Sequence, residues 1–190
     1  MNLQDLIKKR RSVRRFRQEQ IAKQDLHTIL ESATYAHSLG NRQILRFLVT
    51  QNTEKLDIIF KHTSLGIISN GEAGLSKEEF APPAYILVCC DCTPSNAAYA
   101  DLGSAFQNMA LSAGELNLNL FWIHAFSEKT LQKELHIDSN IVAVLAIGSP
   151  AENPTACHVD PHELQDYVAF QERHQKTPKL KPSHLIKWLE

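Results

Sequence analysis

The stretch RRSVRRF, at residues 10–16, places four arginines around one serine and one valine. It follows residues 3–9, whose apolar positions recur at helical spacing, so the basic cluster begins where the first predicted helix ends. A guanidinium group donates hydrogen bonds in a planar fork that suits a phosphate or the edge of an electron-rich heterocycle. The stretch is therefore a candidate anion or nucleotide site, although its composition also fits a solvated helix end.

A second informative stretch, SLGNRQ, occupies residues 38–43. Gly40 and its small polar neighbours end the amphipathic helix that the pattern predicts over residues 23–36. Gly40 alone would fit an ordinary helix end. Asn41 and Gln43 add amide side chains directly after the turn, and amides can read the edge of a planar ring by hydrogen bonds. The two stretches together are the candidate binding residues of the N-terminal third.

Helical and strand patterns alternate along the chain and predict an α+β domain in which a few short strands form one sheet. No pattern is clear over residues 65–80. A main domain is predicted over residues 1–150. The polar, proline-containing residues 151–190 are predicted to be an extension whose final apolar side chains dock on the domain or on a partner subunit. The predicted helices are 3–9, 23–36, 52–62, 96–116 and 128–135, and the predicted strands are 45–50, 85–91, 118–126 and 141–147.

The composition fits one domain of ordinary size, with 190 residues, 43% hydrophobic residues and a net charge of −1. The longest apolar runs, 84–90 and 141–147, are too short to span a bilayer and predict buried strands. The first residues lack the basic-then-apolar order of a signal peptide. We therefore expect a soluble, cytoplasmic protein that binds neither a membrane nor, given its near-neutral charge, nucleic acid.

The four cysteines, Cys89, Cys90, Cys92 and Cys157, are predicted to be reduced thiols in or near the core. Alternate side chains of a strand face opposite ways, so Cys90 and Cys92 should share a face that Cys89 does not. A redox or metal role is the alternative. Among the nine histidines no HxH or HExxH spacing occurs, so no metal site is predicted.

The chain resembles the FMN-dependent nitroreductase family in ordered blocks that run from residue 3 to about residue 150. The order and spacing of the blocks, rather than any single one, make the resemblance specific. It implies a nitroreductase-like α+β fold, with a mostly antiparallel central sheet flanked by helices, in an intertwined homodimer. The resembling blocks are residues 10–14, 36–47, 81–88, 100–109, 122–126 and 146–150.

The resemblance also implies a set of flavin contacts. The first block would hold the cofactor, with Arg11 acting through its backbone. The turn would read the ring at a subunit boundary, and backbone N–H groups of 123–125 would approach the reactive nitrogen of the flavin. Basic residues near the C-terminus are candidates for the phosphate. The implied cofactor-binding residues are Arg10, Arg11, Ser12, Arg14, Ser38, Asn41, Gln43, Ile123, His124, Ala125, Lys179 and Lys181.

Three positions depart from the family pattern. His37 and Ile44 stand where the family usually has prolines on either side of the turn, and His124 stands where it commonly has glycine. The His124 side chain either occupies a tolerant loop or narrows the substrate cleft. Asp101 is predicted to be a capping or packing carboxylate rather than a general base.

The activity implied is that of an FMN-dependent oxidoreductase, in which hydride passes from NAD(P)H through the flavin to an electron-poor small molecule in ping-pong order. A nitroaromatic or a quinone would be such an acceptor. No catalytic side chain is predicted, because the flavin carries the chemistry. No GxGxxG follows a strand, which argues against a Rossmann nicotinamide site.

Three other interpretations stay open. The protein could be a flavin-dependent dehydrogenase or dehalogenase on a dedicated substrate, differing mainly over residues 65–80. It could be a degenerate member without redox activity, or the basic block could bind nucleic acid in a salt-dependent manner.

Overall fold

Two apolar runs form the centre of the sheet. The computed structural model describes residues 2–65, 81–165 and 176–189. Within them, β3 (Ala84–Cys90) and β6 (Asn140–Gly148) pair antiparallel, and nearly every residue of both strands is buried. β1 (Leu45–Thr50) lies beside β3, and β4 (Asn119–Ile123) lies beside β6, which gives the order β1-β3-β6-β4. A strand covered on both faces needs an unbroken apolar sequence, and these runs have one.

Helices cover both faces of this sheet. On one face lie α2 (Lys23–Thr34) and α4 (Asn96–Glu115), which pack against alternate residues of β3 such as Ile86 and Val88. On the other face lie α3 (Thr53–Lys61) and α5 (Glu128–Leu135). Successive side chains of β3 point to opposite faces of the sheet, so they pack into two separate hydrophobic cores. The predicted α+β fold with an antiparallel sheet flanked by helices is confirmed.

Shorter elements complete the described residues. α1 (Leu3–Lys9) opens the chain, and β2 (Thr63–Ser64) pairs antiparallel with β5 (Ala125–Phe126). In the C-terminal part, β7 (Thr155–Val159) pairs parallel with β8 (Lys176–Leu180), and α6 (Pro161–Leu164) follows β7. No helix among the described residues is long and apolar enough to cross a membrane.

The chain divides into two units, residues 1–152 and residues 153–190. The first unit holds the four-stranded sheet and its helices. The second holds the β7–β8 pair and ends in exposed apolar side chains, with Trp188 88% and Leu189 99% exposed.

Most predicted ends lie within one residue of the observed ones, and the main differences are three. The strand predicted over 118–126 is two strands, because the strand is interrupted at His124 and Ala125 then pairs with Ser64. Helix α2 ends at Thr34, two residues before the predicted end. The sequence predicts a single sheet, whereas the described residues form a four-stranded sheet and two separate two-stranded sheets. Residues 66–80, part of the stretch without a clear pattern, and residues 166–175 of the predicted extension lie outside the described residues.

Gly148 ends β6 at a crowded point, and this position yields a first prediction. A Cβ there would lie 2.6 Å from Pro83 Cδ and 3.1 Å from Phe16 Cδ1. We expect Gly148→Ala to lower the free energy of unfolding by about 1–3 kcal/mol through overpacking. Urea denaturation monitored by circular dichroism measures this change.

Gly114→Ala is the matched control. A Cβ at Gly114 would meet Leu6 Cδ2 at 3.6 Å, an ordinary contact, and alanine is the better helix former by about 1 kcal/mol. If both variants were equally stable, the close approach at Gly148 would not constrain the fold.

Candidate functional site

The basic block is anchored to the core by its two apolar residues. After α1 ends at Lys9, Val13 and Phe16 are buried, at 2% and 0% exposure, and Phe16 forms a β-bridge with Pro150. Ser12, between the arginines and Val13, is exposed. The anchors fix the path of the backbone, so the polar residues between them have defined positions.

Arg14 makes hydrogen bonds and an aromatic contact within its own unit. Its Nε donates to the carbonyl oxygen of Leu65 at 3.0 Å, and its guanidinium carbon lies 4.8 Å from the centre of the Phe121 ring. Its backbone N–H donates to Glu152 Oε1 at 2.5 Å, and the same oxygen accepts from the N–H of Arg15. A cation above an aromatic face contributes about 0.5–1 kcal/mol, so these contacts hold the guanidinium against the domain.

The guanidinium groups of Arg10 and Arg11 are half-buried, and among the described residues no carboxylate pairs with either of them. Burial lowers the pKa of both guanidinium groups, and the charge of Arg10 lowers the pKa of Arg11 further. Arg11 Nη1 donates to the Arg10 carbonyl oxygen, while Asn119 Nδ2 donates to the Arg11 carbonyl oxygen at 3.0 Å.

One buried donor of this pair has no partner among the described residues. Within residues 2–65, 81–165 and 176–189, the buried Arg11 Nε has no hydrogen-bond partner. Across those same ranges, no side-chain hydrogen bond or ion pair reaches the Arg10 guanidinium. Arginine stays charged even when its pKa falls, so the pair is two adjacent cations for which the described part of the chain supplies no counter-charge. An anion with several acceptor oxygens would supply what the site lacks.

The turn at residues 38–43 has an uncommon backbone. Gly40, Asn41 and Gln43 have φ values of +60°, +54° and +49°, in the left-handed region that residues other than glycine rarely adopt. Such backbone persists only where its surroundings hold it in place.

Asp101 is what holds this turn. Its side chain lies on α4, and the residue is only 4% exposed. Ser38 Oγ donates to Asp101 Oδ2 at 2.8 Å, and the Leu39 N–H donates to Asp101 Oδ1 at 2.9 Å. The Gln43 N–H in turn donates to Ser38 Oγ at 2.9 Å, which closes the turn. Asp101 is thus the packing carboxylate that the sequence predicts, and its partner is the candidate binding turn.

The amides of the turn lie at the surface. Gln43 Nε2 donates to Asn41 Oδ1 at 3.0 Å, and both residues are exposed. Each keeps further donors or acceptors for a ligand. Arg46 supports the end of the turn, because its Nη1 donates to the Gln43 carbonyl oxygen at 2.8 Å and its Nη2 pairs with Asp91 at 3.1 Å. A cavity of about 190 Å³ lies beside the turn, lined in part by His37, Ser38, Gln43 and Asp101.

The segment 123–125 joins two sheets. Ile123 is fully buried at the end of β4, while His124 and Ala125 are exposed. The His124 ring stacks on Trp122 with ring centres 5.0 Å apart and planes 15° apart. The His124 side chain is therefore placed by an aromatic contact rather than left loose.

Lys179 and Lys181 belong to the second unit. Lys181 Nζ donates to Asp160 Oδ2 at 2.7 Å, and His184 Nε2 lies 2.8 Å from Asp160 Oδ1. The hydrogen bonds from Lys181 and His184 lower the pKa of Asp160. Lys179 lies on β8, opposite His158 of β7. A phosphate contact of either lysine stays a prediction.

The predicted site residues thus fall into separate groups: those of 10–14, 38–43 and 123–125 belong to the first unit, and Lys179 and Lys181 belong to the second. The hydrogen bonds around residues 10–14 and those around residues 38–43 share no residue. Sequence reasoning missed the supporting residues Glu152, Asp91 and Arg46, and did not link Asp101 to Ser38. Local patterns do not reveal the contacts of Glu152, Asp91 and Asp101, because their partners lie far apart in the chain. The hydrogen bond from Arg46 to the Gln43 carbonyl oxygen, in contrast, spans only three residues. No group of three or more potential metal ligands occurs in the part of the chain that is described.

Comparisons with known proteins give the wider context. The family model described as "Nitroreductase family" matches residues 7–149. A protein of Archaeoglobus fulgidus, provisionally named an NADH dehydrogenase/NAD(P)H nitroreductase, is 29% identical over 158 residues, which are 77% of this chain and 84% of the relative.

Solved structures share the fold. A protein of Desulfovibrio desulfuricans, provisionally identified as a nitroreductase and solved in complex with FMN, is 29% identical with a TM-score of 0.70. That similarity covers 86% of this chain and 95% of the other. A nitroreductase family protein of Clostridium difficile 630, at 22% identity and a TM-score of 0.70, covers 100% of this chain and 99% of its own.

Proposed function

The chain belongs to the nitroreductase family, and we propose that it is an FMN-dependent oxidoreductase that takes its electrons from NAD(P)H. The observation that carries this proposal is the pair of half-buried cations, Arg10 and Arg11, with no acidic partner among the described residues. An FMN phosphate or the electron-rich edge of its ring system would supply the missing counter-charge. The FMN complex of the Desulfovibrio relative supports the choice of cofactor.

The residues present fit this cofactor. Arg10 and Arg11 would hold an anionic part of FMN, with the exposed Ser12 hydroxyl as an additional donor. Asn41 and Gln43 would bind polar atoms at the edge of the ring, and Ser38 with Asp101 would keep their backbone in its strained form. Backbone N–H groups of 123–125 would lie near the ring, and Lys179 or Lys181 would contact the phosphate.

The protein's part in the reaction is to bind, orient and polarise. When bound, FMN supplies two-electron chemistry, in ping-pong order, between NAD(P)H and an electron-poor acceptor such as a nitroaromatic or a quinone. Fixed cations beside the ring stabilise negative charge that develops there, and this stabilisation needs no rearrangement during the reaction.

We further propose that the functional unit is a homodimer. Large apolar side chains are exposed around the turn: Tyr35 is 80%, Leu39 55% and Tyr99 48% exposed. Leu39 is part of the turn itself, and Tyr99 lies two residues before Asp101 on α4. Large apolar side chains exposed on a candidate binding turn and on the helix that supports it suit a protein–protein interface. A partner that covers these side chains would bring a second protomer to the edge of the cofactor site. The exposed apolar side chains of the C-terminal end would dock on that partner: Leu185, Ile186, Trp188 and Leu189.

Anaerobic absorption spectroscopy tests the proposed activity. We expect the purified chain, or the chain loaded with FMN, to be yellow and to lose its absorbance on addition of NADH or NADPH. Addition of a nitroaromatic or a quinone should restore the absorbance. A colourless chain that takes up no FMN would contradict the cofactor, and a loaded chain that neither nicotinamide bleaches would contradict the donor.

His124 provides a prediction about acceptor size. The His124 imidazole, stacked on Trp122, would narrow the space over the reactive part of the FMN ring system. We expect His124→Ala to raise kcat/KM for a bulky polycyclic quinone by about 10-fold, relative to a single-ring quinone, since filling such space changes discrimination by about 1–3 kcal/mol. Steady-state kinetics with both quinones measures the ratio, and His27→Ala, an exposed histidine on α2, is the control. An unchanged ratio would show that the His124 ring lies away from the acceptor.

A further inference from the structure

Two thiols lie unusually close together at the end of the central strand β3. Cys90 Sγ and Cys92 Sγ are 3.0 Å apart, about 1 Å more than the length of an S–S bond. Both are free thiols in the structure. We propose that Cys90 and Cys92 form a redox-sensitive dithiol that peroxide oxidises to an intramolecular disulfide. This modification site is separate from the residues assigned to FMN and does not depend on the proposed function.

The local backbone explains the approach of the two sulfurs. Residues i and i+2 of a regular strand lie about 6.6 Å apart, near the upper limit of the Cα separation that a disulfide tolerates. β3, however, ends at Cys90, and the chain bends over residues 91–92. The bend turns the Cys92 side chain back toward Cys90, so closure needs little movement of the backbone.

Neighbouring contacts keep this bend in place. Asn140 Nδ2 donates to the Cys92 carbonyl oxygen at 3.2 Å, and the Asp91 side chain pairs with Arg46 at 3.1 Å. Cys90 itself is paired in the sheet with Leu45 and Asn140. Because both residues are held from outside, the short sulfur separation is a property of the fold.

The two thiols have different access to solvent, which assigns their roles. Cys92 is half-buried and Cys90 is fully buried. Burial raises the pKa of the Cys90 thiol, so the more exposed Cys92 is the better nucleophile. Cys92 sulfur attacks one oxygen of hydrogen peroxide, which breaks the O–O bond and gives a sulfenic acid and water. The Cys90 thiol then displaces hydroxide from that sulfenic acid, which forms the S–S bond and a second water.

The other two cysteines are not positioned for this reaction. Cys89 faces the opposite core, among residues such as Tyr85 and Leu87. Burial and the nearby Asp91 carboxylate raise the pKa of Cys89 to about 11, which disfavours its thiolate. Cys157 lies on β7 in the second unit.

Mass spectrometry of the whole chain tests the proposal. The fully reduced protein is treated with a small excess of hydrogen peroxide, then denatured and alkylated with N-ethylmaleimide. We expect two of the four cysteines to resist alkylation. Before alkylation, the oxidised protein should weigh about 2 Da less than the reduced protein, because two hydrogens are lost. Dithiothreitol should restore all four thiols. Retention of four thiols, or a gain of oxygen atoms without loss of a thiol pair, would overturn the proposal.

Cleavage before Asp91 locates the bond in the unmodified sequence. An endoproteinase that cuts on the amino side of aspartate separates Cys90 from Cys92, so the two fragments should stay joined only after oxidation. Cys92→Ser should abolish the joined fragments, whereas Cys89→Ser and Cys157→Ser should leave them unchanged. Joined fragments that persist in Cys92→Ser, or that vanish in Cys89→Ser, would contradict the assignment. If Cys92→Ser does not fold, the fragment test on the wild-type chain with the two control variants still decides.

Discussion

Arg10→Ala is expected to weaken FMN binding by about 10- to 150-fold, because a hydrogen bond to a charged group contributes about 1.5–3 kcal/mol. The Arg10 guanidinium is half-buried beside Arg11 and makes no hydrogen bond or ion pair within the described residues. Removal of this side chain therefore breaks few contacts within the fold, and the main effect should be a loss of FMN affinity. Quenching of FMN fluorescence on titration with the apoprotein gives the dissociation constant.

Two further variants sharpen this prediction. Arg10→Lys keeps the charge but loses the planar fork, so its affinity should lie between those of the wild type and Arg10→Ala. Arg17→Ala is the matched control, since Arg17 directly follows the basic stretch 10–16 but is exposed, and its Nε donates to the Pro150 carbonyl oxygen at 3.3 Å. Equal losses in Arg10→Ala and Arg17→Ala would indicate a general charge effect rather than a defined contact.

Asp101→Ala is expected to have the largest effect on the fold near the site. It removes the acceptor of two hydrogen bonds at a residue that is 4% exposed, and it leaves the Ser38 hydroxyl and the Leu39 N–H without that partner. We expect the free energy of unfolding to fall by about 2–4 kcal/mol, measured by urea denaturation. FMN affinity should fall as well, because the left-handed residues Asn41 and Gln43 lose the group that holds their turn.

The controls separate the turn from the helix that carries Asp101. Ser38→Ala keeps the Leu39 hydrogen bond and should cause about half the loss of stability, on the order of 1–2 kcal/mol. Glu115→Ala, at the exposed end of the same helix, should change neither stability nor affinity. An Asp101→Ala variant as stable as Glu115→Ala would contradict the structural role of Asp101. Normal FMN affinity in a destabilised Asp101→Ala would separate the turn from the cofactor site.

The sheet and helices could largely be predicted from the sequence because their signals are local. β3 and β6 are continuous apolar runs, and α4 has a clear helical stripe, so their existence and type follow from periodicity. The break at His124 could not be predicted, because the pairing of Ala125 with Ser64 across the chain causes it. The parallel pairing of β7 with β8 is likewise a long-range choice that neither segment encodes alone.

The candidate site divides in the same way. Arginine clustering and the amides of the turn are visible in the sequence, so the residues that would touch a ligand could be proposed. The residues that support them could not, because Ser38 and Asp101 are separated by 63 positions and Arg14 and Glu152 by 138. Likewise, spacing alone suggested that Cys90 and Cys92 share a face, but only the bend after β3 brings their sulfurs to 3.0 Å.

A crystal structure of the protein grown with FMN is the most direct test of the claim that two arginines after the first helix and two amides after the second serve one nucleotide. The prediction is that a single FMN lies at the boundary of two protomers, with the Arg10 guanidinium and the Asn41 amide each within about 2.7–3.2 Å of its polar atoms. An FMN that contacts only one of these side chains, or a boundary filled by protein with no room for the ring, would contradict it.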